Sequence, residues 1–336
     1  MREALFYENK EKDIAACVLC PHYCIIREGK TGICRSRQNR DGILYATNYG
    51  RVSSYGMDPI EKKPLYHFYP GSYILSAGTV GCNFKCQFCQ NWSIAHDDPP
   101  TNEITPAGLV EMAMDYAGMG YPNIGLAYTY NEPFMWYEFV FETAVLAREA
   151  GLKNVLVTNG SVNEAPLRQI LPHIDAMNID VKGFTEDYYK KYCKGSLQPV
   201  LKTVETARRE CHVELTTLLI PGLNDTEEEI GRLTGWIASL DRDIPLHFSR
   251  YFPMYKMGLP ATPLEKLVRA REIATKKLHY VYIGNAQVPG TGDTFCPSCG
   301  DEVISRIGFS ARGVGLSGRN CSNCGEEINF VGKIFE

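Results

Sequence analysis

Seven strand-like runs recur through the middle of this chain, and stretches of helical periodicity lie between several of them. The runs are YILSAGTV (73–80), NIGLAYTY (123–130), KNVLVTNG (153–160), DAMNIDVK (175–182), HVELTTLLI (212–220), IPLHFSRY (244–251) and HYVYIG (279–284). PAGLVEMAMDYAGMG (106–120), FMWYEFVFETAVLAREAG (134–151) and EEEIGRLTGWIASL (227–240) place apolar residues three and four apart, the period of a helix with one buried face. Regular strand–helix alternation predicts a parallel sheet. Six or so such units predict an α/β fold, a partial (β/α)6 TIM-like barrel rather than a full eight-fold one. In barrels, ligand-binding residues sit at the C-terminal ends of the strands.

Cysteine is the second constraint. Eleven of the thirteen cysteines fall into three groups, which argues for metal rather than disulfides and for a reducing, cytoplasmic setting. Cys193 and Cys211 stand alone and read as packing thiols. The middle group is Cys82, Cys86 and Cys89 in GCNFKCQFCQNW, spaced C-x3-C-x2-C. Three thiolates can hold three corners of a cubane 4Fe–4S cluster, which normally takes four cysteines, and leave one iron open to a ligand. Zinc would want a fourth ligand, and no fourth cysteine lies close by in the chain. Gly81 would let the backbone approach such a cluster, and Phe84, Phe88 and Trp92 would dry it on one side.

The N-terminal group is Cys17, Cys20, Cys24 and Cys34, a complete four-thiolate set for zinc or for a second iron–sulfur cluster, with zinc slightly favoured. His22 lies between these ligands and could replace one, but reads rather as a surface residue. The C-terminal group is Cys296, Cys299, Cys321 and Cys324, two C-x2-C-G knuckles that read as a zinc ribbon. VISRIGF and EINFVGKIF would supply its strands. The expected division is a metal-binding segment over 1–60, a barrel over 61–290 and a ribbon over 291–336.

Polar residues gather where the strands end. Asn131 and Glu132 follow the second run, and a carboxylate there could pair with an ammonium group or cap a helix. Thr158, Asn159 and Gly160 end the third run. Asp180 and Lys182 end the fourth, where they could contact a ligand or simply pair with each other. Ile220 to Gly222 would form an apolar shelf, with Asn224 and Asp225 capping the next helix. His247, Arg250, Tyr251, Tyr255 and Lys256 surround the sixth run, and of these His247, Arg250 and Tyr255 are the candidate substrate contacts. Tyr282, Gly284 and Asn285 close the series and would complete a pocket for a flat ring.

A net charge of −4 with no basic run disfavours a nucleic-acid partner. No apolar run is long enough to span a membrane, and the charged start MREALFYENKEKD does not read as a signal peptide.

The cysteine loop resembles that of radical S-adenosylmethionine (SAM) enzymes, in which the open iron chelates the amino and carboxylate groups of SAM. The whole chain is similar to the pyruvate formate-lyase activating enzyme-like branch, and within it to the AmmeMemoRadiSam group. The similarity runs through DPIEKKPLYHFYPGS, AYTYNEP, VTNG, NIDVKGF, TTLLIPGLND, HFSRYFPMY and VYIGN as well as the cysteine groups. It implies Cys82, Cys86 and Cys89 as cluster ligands. Asn131 and Glu132 stand where the family's Gly-Gly-Glu segment meets the methionine amino group. Thr158, Asp180 and Lys182 match the family's ribose and carboxylate contacts. The resemblance implies reductive SAM cleavage to a 5′-deoxyadenosyl radical that takes hydrogen from an unidentified substrate, a protein among the candidates. It also implies an electron donor such as ferredoxin or flavodoxin. The activating enzymes carry a Pro-Tyr-His segment after the sixth strand, where this chain has Pro253-Met254-Tyr255. A glycyl radical activase remains one alternative, and a zinc and iron–sulfur scaffold protein is another.

Overall fold

The structure, a computed structural model, describes residues 1–11 and 13–335. Its centre is an eight-stranded sheet built from β1 (Ser54–Pro59), β2 (Tyr73–Gly78), β3 (Asn123–Tyr128), β4 (Lys153–Thr158), β5 (Ala176–Asp180), β6 (His212–Leu219), β7 (Leu246–Arg250) and β8 (Val281–Gly284), neighbours in sequence order. All but β1 run parallel; β1 pairs antiparallel with β2 at the edge. Parallel neighbours need a crossover, and each gap holds one main helix. These are α1 (Pro106–Gly118), α2 (Tyr137–Glu149), α3 (Glu164–Ile170), α4 (Leu197–Ala207), α5 (Glu227–Leu240) and α6 (Leu264–Ala274). The result is the six-unit partial barrel expected from the alternation. Every one of the seven expected runs contains a strand.

The register aligns the strand ends. Tyr128 pairs with Ala77, Thr158 with Ile179, Asp180 with Thr216 and Ser249 with Gly284. One mouth therefore receives the last residue of every parallel strand. Strand residues such as Leu75, Leu126, Val155, Ile179, Leu215 and Leu246 are fully buried because helices cover the outer face and side chains fill the inner one. Threonine caps the starts of α1 and α5. Thr105 Oγ1 accepts from Gly108 N and Thr226 Oγ1 from Glu229 N, and Glu227–Glu229 complement the positive end of α5. Asn224 and Asp225, expected as that cap, instead close the loop before it. Asn224 accepts from Ile220 N and donates to Lys182 O, while Asp225 accepts from Gly222 N.

The N-terminal segment forms short antiparallel sheets, one of them Tyr7–Glu11, Ile14–Cys17 and Ile25–Arg27. Ala15, Leu19, Ile26 and Leu44 share the barrel's core with Leu109, Trp136 and Phe139. A buried ion pair fastens the two parts. Arg37 Nη1 lies 2.6 Å from Glu138 Oε1, both nearly fully buried, and Leu5 N also donates to that oxygen. Removing one partner strands the other charge, at a cost of about 3–5 kcal/mol. Glu138→Ala is therefore expected to lower the melting temperature of the whole chain; a thermal unfolding curve superposable on wild type would refute this.

The C-terminal module pairs Thr294–Phe295, Glu302–Ile307 and Ser310–Gly313 around Val303, Ile304, Ala311, Ile328 and Phe330. VISRIGF contains a strand as expected. EINFVGKIF does not: it makes isolated bridges only, Glu327 with Asn320 and Val331 with Phe68, and its backbone is spent on docking. Val331 N donates to His67 O and Tyr69 N to Val331 O. Arg306 donates to Tyr66 O and lies over the Tyr66 ring, 4.5 Å from its centroid. No helix of the described residues is long and apolar enough to cross a membrane.

Candidate active site

A cavity of about 660 Å³ opens at the mouth where the strands end, and Cys82, Cys86 and Cys89 line it together with Glu132, Thr158, Asp180 and Lys182. Its cysteine loop leaves β2 and is pinned on several sides. Asn131 Nδ2 donates to Gly81 O at 2.8 Å, and Asn131 Oδ1 accepts from Thr79 N. Lys85 N and Gln87 N donate to Cys193 O and Tyr192 O. Gly81 has φ +97°, and a Cβ there would sit 2.6 Å from the Cys34 carbonyl oxygen, so the position demands glycine on both counts. The Phe84 ring fits against Gly195, where a Cβ would come within 2.2 Å. Phe84 and Phe88 are buried beneath the loop as expected. Trp92 is not: it stands half-buried outside the lining and stacks on Tyr255 at 5.5 Å.

Donors reach the sulfur. Phe84 N lies 3.4 Å and Asn159 Nδ2 3.7 Å from Cys82 Sγ. Asn159 also donates to Asn83 Oδ1 and accepts from Ser161 N, which fixes its amide. Burial raises the Cys82 thiol, with the Glu132 charge adding to it, and burial pushes Cys89 up to about 11. Such thiols ligate only by giving up protons to a bound cation. Three sulfurs facing one cavity, with N–H donors behind them and no fourth cysteine in the lining, suit a cubane cluster with one open iron.

Glu132 is buried at the junction of three elements. Its Oε1 accepts from Thr158 Oγ1 at 2.7 Å and Phe134 N at 3.1 Å, and its Oε2 accepts from Asn159 N at 2.8 Å. Burial nonetheless pushes its carboxyl up to about 7. Capping and cavity lining coexist here, since a carboxylate has about four acceptor sites and three are taken. Thr158 is similarly engaged, donating to Glu132 and accepting from Gly160 N. Lys182 Nζ lies 2.8 Å from Asp180 Oδ2. Burial would lower Lys182, but the Asp180 carboxylate and the Cys86 sulfur override it and hold the ammonium protonated.

His247 lines the cavity floor, with Nε2 2.7 Å from the buried Glu214 carboxylate. Asn285 also lines it, donating to Arg250 O. Three expected residues are not brought in. Tyr282 faces away from the cavity, its hydroxyl bonded to His67 and Thr294 and its ring stacked on His247. Arg250 donates to Thr262 O and lies over the Phe252 ring. Tyr255 is exposed against Trp92 and His96. Ile220 is wholly buried, and Leu218 takes the place of the expected apolar shelf.

Other lining residues carried no role from sequence alone. Asp58, itself outside the lining, holds Lys62 and Lys63 at 2.6 Å each and accepts from Tyr130 OH at 2.7 Å. Lys63 lines the cavity, and burial brings it down to about 8. His96 also lines it, with neither ring nitrogen hydrogen-bonded among the described residues. Phe309, from the C-terminal module, stands half-exposed in the lining. The stretch DPIEKKPLYHFYPGS contains Asp58, Lys62 and Lys63, but its chemistry emerges only once β1 joins the sheet.

The cysteine-lined mouth of a parallel barrel defines a class of metalloenzyme, and relatives specify it. Residues 77–234 match the profile described as Radical SAM superfamily. An uncharacterized protein of Methanocaldococcus jannaschii is 45% identical over 340 residues, covering 98% of this chain and all of the relative. The pyruvate formate-lyase-activating enzyme of Staphylococcus epidermidis is 23% identical over 233 residues, covering 63% of this chain and 90% of the enzyme. In fold, SuiB of Streptococcus suis bound to S-adenosylmethionine matches with a TM-score of 0.52 at 14% identity, over 68% of this chain and 53% of that one. The chain belongs to the radical SAM superfamily, and it is an enzyme with homology to the pyruvate formate-lyase activating enzymes.

Proposed function

We propose that the chain binds a 4Fe–4S cluster through Cys82, Cys86 and Cys89, cleaves SAM reductively there, and acts on a substrate held in the same cavity. The observation that carries this reading is the convergence of three cysteine sulfurs, Glu132, Asp180 and Lys182 on one cavity. When bound, a reduced cluster would supply one electron to the SAM sulfonium, and the carbon radical left by the broken C–S bond would supply hydrogen-atom abstraction. The chain supplies the rest. Glu132 offers its remaining acceptor site to the SAM ammonium. The Asp180–Lys182 pair presents one charge of each sign to the ribose hydroxyls and the methionine carboxylate, and Thr158 and Asn285 line the same space. Asn131 acts by holding Thr79 and Gly81, so it positions the loop rather than the ligand. Phe84 and Phe88 keep water from one side of the sulfurs. Electrons would come from a low-potential donor of the ferredoxin or flavodoxin type.

Residues 1–60 and 291–336 serve in this reading as metal-binding flanks, the first lending β1 to the barrel edge. In the C-terminal quartet Cys296 Sγ and Cys324 Sγ lie 3.5 Å apart and Cys299 Sγ and Cys321 Sγ 3.6 Å. Zinc–sulfur bonds of about 2.3 Å in a tetrahedron put sulfurs roughly 3.8 Å apart, so this quartet suits structural zinc. Replacing Cys296 or Cys321 by serine is expected to lower thermal stability while SAM cleavage survives below the new melting point. Unchanged melting together with retained zinc would contradict this.

The test of the catalytic reading is spectroscopic. Adding SAM to the anaerobic, reduced protein should change the electron paramagnetic resonance of the cluster held by Cys82, Cys86 and Cys89. A cluster whose spectrum ignores SAM at saturating concentration would overturn it. Homology to the activating enzymes favours one second reading, in which the substrate is a glycine of a partner protein. A glycyl radical signal in a co-purifying protein would select it.

A further inference from the structure

We propose that the N-terminal cysteines, Cys17, Cys20, Cys24 and Cys34, hold a second iron–sulfur cluster of the cubane type rather than zinc. Sulfur spacing argues for this. Among the described residues, one group of three or more His, Cys, Asp or Glu donors has all its ligand atoms within 4.8 Å of one another, and it is the C-terminal quartet. The N-terminal quartet is as complete in number and type, yet its sulfurs stand wider. So do those of Cys82, Cys86 and Cys89. A single ion draws four sulfurs to roughly 3.8 Å from each other. In a cubane each cysteine binds a different iron, so the sulfurs stand apart around a core. The chain thus contains one quartet of single-ion spacing and two sets of wider spacing.

The four N-terminal cysteines surround a hollow with apolar walls, Leu19, Ile26, Ile33 and Met135 among them. The hollow measures about 10 Å³, room for roughly one water-sized sphere between the sulfurs. Arg37 also lines it. Its Nη1 is taken by Glu138, but Nε and Nη2 are buried and donate to nothing among the described residues. Unpaired guanidinium donors beside four sulfurs are suited to an anionic thiolate-ligated group that accepts N–H···S bonds on its flank. Ser36 Oγ adds a donor 3.3 Å from Cys34 Sγ.

The location is close to the catalytic loop. Cys34 O is the atom that excludes a side chain at Gly81, and His22, expected at the surface, instead donates from Nε2 to Asn83 O at 2.8 Å. One segment, Gly81 to Asn83, therefore touches both cysteine groups. The proposal rests on the cluster reading of Cys82, Cys86 and Cys89 only for the comparison of spacing.

The experiment uses the full chain, reconstituted anaerobically with iron, sulfide and zinc all present. Wild type should hold about eight iron, about eight sulfide and about one zinc per chain. A variant with Cys82, Cys86 and Cys89 all changed to alanine should keep about four of each of iron and sulfide, with its own iron–sulfur absorption and resonance spectrum. Cys17→Ser combined with Cys20→Ser should remove that half and leave the SAM-responsive signal. Four iron with two zinc per wild-type chain would overturn the proposal, as would a folded triple variant with zinc and no iron. Should the triple variant fail to fold, the wild-type iron-to-zinc ratio decides alone. A surviving four-iron cluster in the triple variant, with no SAM response in wild type, would sink the catalytic reading and leave this one standing.

Discussion

Replacing Cys82, Cys86 and Cys89 together by alanine is expected to abolish SAM cleavage while the chain stays folded. The three cysteines line the cavity, and Phe84 and Phe88 of the same loop, which line it too, are almost wholly buried and keep their packing. The loop keeps its backbone anchors to Asn131, Cys193 and Tyr192, none of which involves a ligand side chain. Each alanine removes one sulfur, a modest loss of about 1 kcal/mol against the size of this core. Chemistry, in contrast, loses its electron source altogether. Product formation should fall to the level of protein-free controls, while the circular dichroism of the variant matches wild type. Normal turnover by the triple variant would exclude this site as the origin of the activity.

Glu132→Ala carries the second large effect, and it acts on binding and stability together. A charge-assisted hydrogen bond to the SAM ammonium is worth about 1.5–3 kcal/mol, roughly ten- to hundredfold in affinity. The same change leaves Thr158 Oγ1, Phe134 N and Asn159 N without their acceptor in a buried setting, so melting should also drop. Glu132→Gln removes the charge while its one amide oxygen still accepts from Thr158 Oγ1 and Phe134 N, leaving its NH2 against Asn159 N: affinity should fall as in the alanine variant, while only part of the stability returns.

The raised carboxyl adds a pH test. Burial places the folded value at about 7, above the usual carboxyl range. The folded chain therefore holds this proton more tightly than the unfolded one. The stability the group contributes is complete below the unfolded value of about 4.3 and is lost as pH rises through about 7. SAM affinity should move the opposite way and strengthen as the carboxylate forms. A calorimetric titration in which wild type shows this rise through neutrality and Glu132→Gln does not would support the assignment. Identical pH profiles for the two would remove Glu132 from the binding site.

What the sequence made legible follows from burial. The parallel strands are covered on both faces, so Val155, Leu156 and Met177 stand in apolar runs that no exposed segment would carry. β1 escaped because Ser54–Pro59 is an edge strand containing glycine and proline, half-buried and weakly patterned. With it went Asp58 and the lysines it holds. Cysteine spacing pointed to the three cysteine groups, and the structure gathers Cys82, Cys86 and Cys89 in one cavity lining, the N-terminal four around one hollow and the C-terminal four into one compact quartet. Side-chain direction was the weak point. Tyr282 and Asn285 lie three residues apart at one strand end, yet the first packs beneath His247 and the second lines the cavity. Pairing register decides that, and register is set by contacts across the sheet. Nor does a motif disclose double duty. Asn131 and Thr158 stand at the expected strand ends, but their polar atoms are largely spent on Gly81, Thr79 and Glu132.

The most direct measurement is the amount of 5′-deoxyadenosine and methionine formed from SAM by the anaerobically reconstituted full-length chain with a low-potential reductant. The account predicts equimolar release of the two, dependent on reductant and absent from the Cys82, Cys86 and Cys89 alanine variant. A folded chain that holds its full complement of iron and sulfide, binds SAM and releases neither product would contradict it.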